Sequence, residues 1–144
     1  MTDALRSHFA EYAAFHRTSG NKACHSLGIP TIVLSSVALL ARVGLFTVGG
    51  FTLTLAEVLI AGFVLFYFTL DATLAGLMLV VYAALDLAGR FIPPGPAVVL
   101  FALGWILQGI GHYVYEKNSP AFFRNFAHLA VGQLWILAKA VGRA

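Results

Sequence analysis

Four stretches of the chain approach the roughly 20 mostly apolar residues that a transmembrane helix needs: 29–48, 51–70, 72–88 and 96–115. Gly49-Gly50 follows the first, Asp71 the second, and Gly89 with Pro93-Pro94-Gly95-Pro96 the third. Each joint therefore reads as a short hairpin connection between neighbouring spans. A fifth apolar stretch, 126–141, is shorter, carries His128, Gln133 and Lys139, and follows Pro120. It predicts an interfacial or re-entrant helix within 121–141 rather than a fifth span. The expected fold is all-α, a single integral-membrane domain over residues 1–144. Its architecture is a polytopic helical bundle of four transmembrane helices with N-terminal and C-terminal interfacial helices.

Composition agrees with that pattern. Apolar residues make up 60% of the chain and charged ones only 10%, too little polar surface to coat a water-exposed globule. The formal charge of +3 is modest and its basic residues are scattered, so the sequence offers no nucleic-acid groove. A single cysteine, Cys24, excludes an internal disulfide framework and multi-cysteine zinc or iron–sulfur sites. Charged residues and histidines interrupt the first 25 positions, from Asp3 to Lys22, so a cleavable signal is not expected there. Four spans put both ends of the chain on one side, with Arg6, Arg17, Lys22, Lys117, Arg124, Lys139 and Arg143, while the other side keeps Arg42 and Arg90. The positive-inside rule makes that first side cytoplasmic.

Two charges lie within the first hairpin, Arg42 and Glu57, equally far in sequence from the Gly49-Gly50 turn. They are expected to meet at one depth as a structural clamp, since buried charges that persist are normally paired. Asp86 and Arg90, four apart, predict a second pair on one helix surface.

The candidate chemistry lies with the histidines. The topology brings His8, His16, His25, His112 and His128 to the cytoplasmic face, and clustered neutral imidazoles suit a transition metal. His8, Tyr12 and His16 fall at helical spacing. His16 and His25 are nine positions apart, about half a turn out of phase on a continuous helix, so they face one metal only if the chain bends. Thr18-Ser19-Gly20-Asn21 is the expected bend, with Gly20 breaking the helix and Ser19 or Asn21 capping its successor. Asn21 and His25 then share a face. Downstream, Trp105, Gln108, His112 and Glu116 make a polar stripe on an otherwise apolar helix. His16, His25 and His112 are the expected metal ligands, and His8 is expected to be an interfacial anchor. His128 is either a fourth ligand or an interfacial residue. Glu116 is a ligand, a surface charge or, as favoured, an acceptor that holds a histidine N–H.

Phe15-His16, Asn21, His25-Ser26 and Pro30, followed far downstream by Gly104-Trp105, Gln108, Gly111-His112, Glu116-Lys117 and Pro120-Ala121, closely resemble the small membrane 2-hydroxy fatty acid dioxygenases. This family includes the fungal endoplasmic-reticulum enzyme of phytosphingosine breakdown. The resemblance implies an iron(II), Fe(2+), enzyme that consumes O₂ and shortens a 2-hydroxy fatty acid by one carbon through α-oxidation. It places the family histidines on His16, His25 and His112, the family asparagine on Asn21 and the glutamate on Glu116. The chain departs from relatives at Gly109, where they tend to have an aromatic residue, at Tyr115, where they tend to have Phe, and at His128, where glutamine is commoner. The compact chain is like bacterial members, which implies an inner-membrane location.

Such a reaction suits the donors. A 2-hydroxy acid chelates iron through a carboxylate oxygen and its hydroxyl, and three histidines leave positions open for that chelate and for O₂. Tyr12, Gln108, Asn21 and Lys117 are candidate substrate-contacting or supporting residues. The carboxylate is expected within reach of Arg17, Lys22, Lys117 or Arg124, and the tail in a pocket between the spans, with chain length mattering less than the hydroxyl. The rival readings are a single-haem membrane protein and a non-enzymatic metal or lipid transporter. Five histidines are too few for the paired boxes of a di-iron membrane desaturase.

Overall fold

The computed structural model describes residues 1–123 and 125–144. A short amphipathic helix, α1 (Asp3–Ala14), buries Leu5, Phe9 and Tyr12 at steps of four and three, and Thr2 caps its start. After a bend comes α2 (Ser19–Leu40), then a two-stranded antiparallel hairpin of β1 (Gly44–Val48) and β2 (Phe51–Thr54). Two more helices follow, α3 (Leu55–Leu70) and α4 (Ala72–Gly89). The last long helix, α5 (Pro94–Gly109), continues without a break into a π-helical turn over Ile110–Glu116. A 3₁₀ turn (Ala121–Phe123) leads towards α6 (Ala127–Ala140).

The chain is mostly helical, but the all-α expectation needs one correction. The apolar run at 29–48 is not one helix. α2 begins ten residues earlier, at Ser19, ends at Leu40, and passes through Pro30, while the remaining apolar residues form the hairpin. Its strands carry Phe46, Thr47, Val48, Phe51, Thr52 and Thr54, β-branched and aromatic types that favour a pleated ribbon. Gly49 and Gly50 both have positive φ, 58° and 82°, which is what a two-residue turn matching the strand twist requires. The run at 51–70 correspondingly yields a helix only from Leu55.

Inserting that hairpin also displaces the expected Arg42–Glu57 clamp. Arg42 lies past the end of α2 and donates to the carbonyls of Ala38 and Ile92. Glu57 instead pairs with Arg90 while accepting the Thr54 amide at the start of α3. Asp86 and Arg90 pair as expected, at 3.0 Å. Together these groups make a charged layer at the hairpin end of the bundle.

Among the described residues, three helices are long and apolar enough to cross a membrane: Ser19–Leu40, Ala72–Gly89 and the continuous Pro94–Glu116. Leu55–Leu70 is apolar but shorter. The core joins α1, α3, α4 and α6. In α6, Val131, Leu134 and Ala138 are wholly buried, at the three- and four-residue steps of one helical face. A polar thread runs through this core, with Tyr67 donating to the Ala130 carbonyl at 2.8 Å and Tyr82 to Gln133 Oε1 at 2.6 Å. At the opposite end from the hairpin, buried Asp71 caps α4 through the Leu74 amide and accepts both terminal nitrogens of Arg143.

Helices α2 and α5 pack closely. A Cβ added at Gly104 would stand 2.6 Å from Ile32 Cγ1 and 3.1 Å from the Gly28 carbonyl, so the backbones meet where small residues permit it. Gly104→Ala should therefore lower stability by about 1–3 kcal/mol, the usual cost of overpacking. Gly62→Ala, at a helical position with nothing within 4 Å, should be neutral or stabilising by about 0.5–1 kcal/mol. Thermal denaturation of both variants in detergent micelles checks the contrast.

Candidate metal centre

The bend between α1 and α2 is real, and its chemistry differs from that expected. Thr18, rather than Ser19 or Asn21, caps α2 by accepting the Asn21 amide. Gly20 lies inside the first turn of α2 and makes room for the Tyr115 ring. The bend is held from across the molecule by Glu116. One carboxylate oxygen accepts the Arg17 amide at 2.9 Å, and the other accepts the Thr18 amide, the Thr18 hydroxyl and the Asn21 side-chain N–H at 3.0–3.1 Å. Asn21 also donates to the Phe15 carbonyl at 3.1 Å.

This arrangement converges the three histidines named above. His16 lies in the bend, His25 on α2 and His112 in the π turn, with ring centroids 4.3, 5.0 and 4.7 Å apart. One ring nitrogen from each lies within 4.8 Å of the others. All three are at most 3% exposed, so water does not satisfy them. His16 Nδ1–H donates to the Tyr12 carbonyl at 2.7 Å and His25 Nδ1–H to the Asn21 carbonyl at 3.0 Å. A carbonyl can only accept, so both rings carry their proton on Nδ1 and keep an Nε2 lone pair. Burial pushes His16 down to about 4, which leaves that ring neutral at pH values near neutrality. His16 Nε2 and His112 Nδ1 are buried without a hydrogen-bond partner, a cost of about 1–3 kcal/mol each unless something binds there. Three converging imidazoles, two of them with buried unsatisfied nitrogens, fit a first-row transition metal such as iron or zinc.

The other candidates divide. Tyr12 stacks on His16 with centroids 3.9 Å apart, while half-buried His8 does not line the site cavity described below. Glu116 forms no hydrogen bond to a histidine ring among the described residues; it positions His16 and His25 through backbone amides and Asn21. His128 is buried but outside the group of three, with Nε2 3.3 Å from the Glu11 carboxylate. Lys117 ends the π turn in a left-handed conformation, φ 53°, and is exposed. Neither it nor Arg17 nor Lys22 lines the cavity, so the expected cationic carboxylate clamp is not built from them; Arg124 lies outside the described residues.

Beneath the histidines lies a cavity of about 320 Å³, lined by α2, α3, α4, α5 and α6. Apart from Ser36 and the hydrogen-bonded pair Tyr82 and Gln133, its polar lining clusters near the histidine end as Tyr12, Gln108 and His128. Tyr12 Oη and Gln108 Nε2 are buried without partners. No periodic signal in the sequence marks the π turn. Within it, a Cβ on Gly111 would meet Asn21 Oδ1 at 2.5 Å and His25 Nδ1 at 3.2 Å, and the Gly111-His112 pair in the motif was its one visible trace.

Known proteins bear on this geometry. A family model described as 2-hydroxy-palmitic acid dioxygenase Mpo1-like matches residues 2–144. The chain belongs to that family. It is 32% identical over 131 residues to the 2-hydroxy-palmitic acid dioxygenase MPO1 of Saccharomyces cerevisiae, a match covering 88% of this chain and 73% of the yeast protein. No solved structure matches the chain.

Glu116 supplies a test. Glu116→Gln keeps the shape but replaces one acceptor oxygen by an amide donor facing N–H groups. Its metal affinity should fall by about 10–100-fold, as for loss of a group that orients ligands. Hydrogen exchange at the Arg17 and Thr18 amides should rise. Unchanged affinity and exchange would remove Glu116 from the site.

Proposed function

We propose that this protein is an iron(II)-dependent dioxygenase that performs α-oxidation of 2-hydroxy fatty acids, consuming O₂ and shortening the chain by one carbon. The observation that carries the reading is the juxtaposition of three buried histidines, His16, His25 and His112, with the mouth of an apolar cavity. Membership of the Mpo1-like family names the substrate class and the use of oxygen.

His16, His25 and His112 would hold the metal, and His128 stands aside from them. A ferrous ion bound there would supply the redox chemistry that lets O₂ react with the substrate. The protein's own part is positioning. Nδ1–H bonds to Tyr12 and Asn21 carbonyls fix the His16 and His25 rings and their tautomers. The unpaired Tyr12 hydroxyl and Gln108 amide are donors available to the substrate's carboxylate and 2-hydroxyl. The apolar wall takes the alkyl tail and keeps bulk water from the reacting carbon.

The same reading places α2, α3, α4 and α5 across a membrane, α1 and α6 at its cytoplasmic face, and the metal site on that side, with the whole chain one integral domain. The basic asymmetry of seven residues against two supports the orientation, and a bacterial inner membrane fits the compact chain. At 16 residues, α3 is about 24 Å long at 1.5 Å per residue, somewhat short of a bilayer core of about 30 Å.

Oxygen uptake by anaerobically iron-loaded protein tests the function. 2-Hydroxypalmitate should drive uptake and yield an acid one carbon shorter, whereas palmitate, lacking the hydroxyl donor, should bind without reacting. Equal turnover of the two acids, or a product with its full carbon count, would overturn the reading. Reversible metal binding without oxygen consumption would favour a metal or lipid carrier.

A further inference from the structure

The cavity has a defined far end. From His25, its α2 wall continues through Ile29, Ile32, Val33, Ser36, Val37 and Leu40, a single helical face at steps of three and four. His25 and Leu40 are fifteen residues apart, so this wall is about 22 Å long at 1.5 Å per residue. One leaflet of a bilayer core is about 15 Å deep, so the wall is long enough for a full acyl tail. On the opposite side α3 contributes Ala56, Leu59, Ile60 and Phe63.

At Leu40 and Ala56 the apolar lining stops. Ala56 is wholly buried, and its neighbours on either side are committed to other bonds. The Leu55 amide donates to the Val43 carbonyl at 2.9 Å, and the Glu57 carboxylate accepts the Thr54 amide and pairs with Arg90. Just beyond sits the charged layer of Glu57, Asp86, Arg90 and Arg42. An alkyl chain that outgrew the cavity would have to displace Leu40 or push its methyl end into groups that cannot give up their partners cheaply.

We propose that Leu40 and Ala56 are the chain-length stop of this cavity, fixing the longest fatty acid it accepts. The proposal rests on the reading that the cavity holds the substrate's tail. It adds a ceiling to the expectation that chain length matters less than the hydroxyl, because a cavity open to lipid at its end would impose no ceiling, whereas this one ends on charge. Below the stop, each added methylene tightens binding by up to about fourfold, the equivalent of its burial. At the stop, affinity ceases to rise and then falls.

The test uses metal-free protein in detergent micelles and a series of saturated, unhydroxylated fatty acids displacing a fluorescent fatty acid. Partition into micelles is common to all variants, so the comparison isolates the protein. Affinity should climb with chain length and break at one length. Leu40→Ala should move the break to longer acids by one or two carbons, and Ala56→Leu should move it to shorter ones. Leu40→Ala removes bulk and decides the question if Ala56→Leu does not fold. A break that stays in place in Leu40→Ala would overturn the stop, as would a profile with no break. Absence of saturable binding at every length would overturn the tail cavity itself. A shifting break without any turnover of 2-hydroxy acids would support the stop and overturn the proposed reaction.

Discussion

One carboxylate organises this end of the molecule. Glu116, at the end of the π turn, gathers the Arg17 and Thr18 backbone amides, the Thr18 hydroxyl and the Asn21 side-chain N–H, four donors drawn from the bend and the first turn of α2. Charge-assisted hydrogen bonds of this kind are about twice as strong as neutral ones. Together with the Thr18 cap and the Asn21 bond to the Phe15 carbonyl, they hold a sharp bend. His16 lies in that bend, His25 one turn beyond Asn21, and His112 one turn before Glu116, so fixing the bend against the π turn fixes all three rings. Gly20 and Gly111 serve the same contact from either side, each leaving room for a side chain of the other segment.

The cavity below reads as a gradient of polarity. At the histidine end are buried nitrogens and a hydroxyl without partners, each a cost that a ligand would offset. Along the middle run aliphatic and aromatic side chains from five helices. At the far end stands the Glu57, Asp86 and Arg90 cluster. An amphiphile with a chelating head and an alkyl tail complements that gradient in one orientation only. The orphaned Tyr12 and Gln108 groups sharpen the point, because a simple structural core would have paired them or replaced them by apolar residues.

Much of this was legible in the sequence, and the exceptions are physical. Helical spacing and the phase mismatch between His16 and His25 called for a bend, and motif resemblance selected the three histidines that converge. Hydropathy alone misjudged 29–48, because Leu45, Phe46 and Val48 are as apolar in a hairpin as in a span; their β-branched and aromatic neighbours and the paired glycines carried the distinction. The Arg42–Glu57 pairing failed with it, since equal distance from a turn implies equal depth only when both flanks have the same conformation, and here β1 is bulged and Glu57 already lies in α3. Glu116 was expected to hold a histidine N–H and instead accepts from the Arg17 and Thr18 amides, the Thr18 hydroxyl and the Asn21 side chain. A π turn leaves no periodic signature over seven residues, so its effect in directing Glu116 to backbone amides required the three-dimensional arrangement.

The central claim is that His16, His25 and His112 together form one metal site. The direct measurement is the metal-to-protein ratio of anaerobically iron-loaded protein by elemental analysis, for the unmodified chain and for His16→Ala, His25→Ala, His112→Ala and His128→Ala. The account predicts one iron per chain in the unmodified protein and in His128→Ala, and loss of iron in each of the other three while they remain folded by circular dichroism. Full iron retained by His25→Ala, or iron lost from His128→Ala alone, would contradict it.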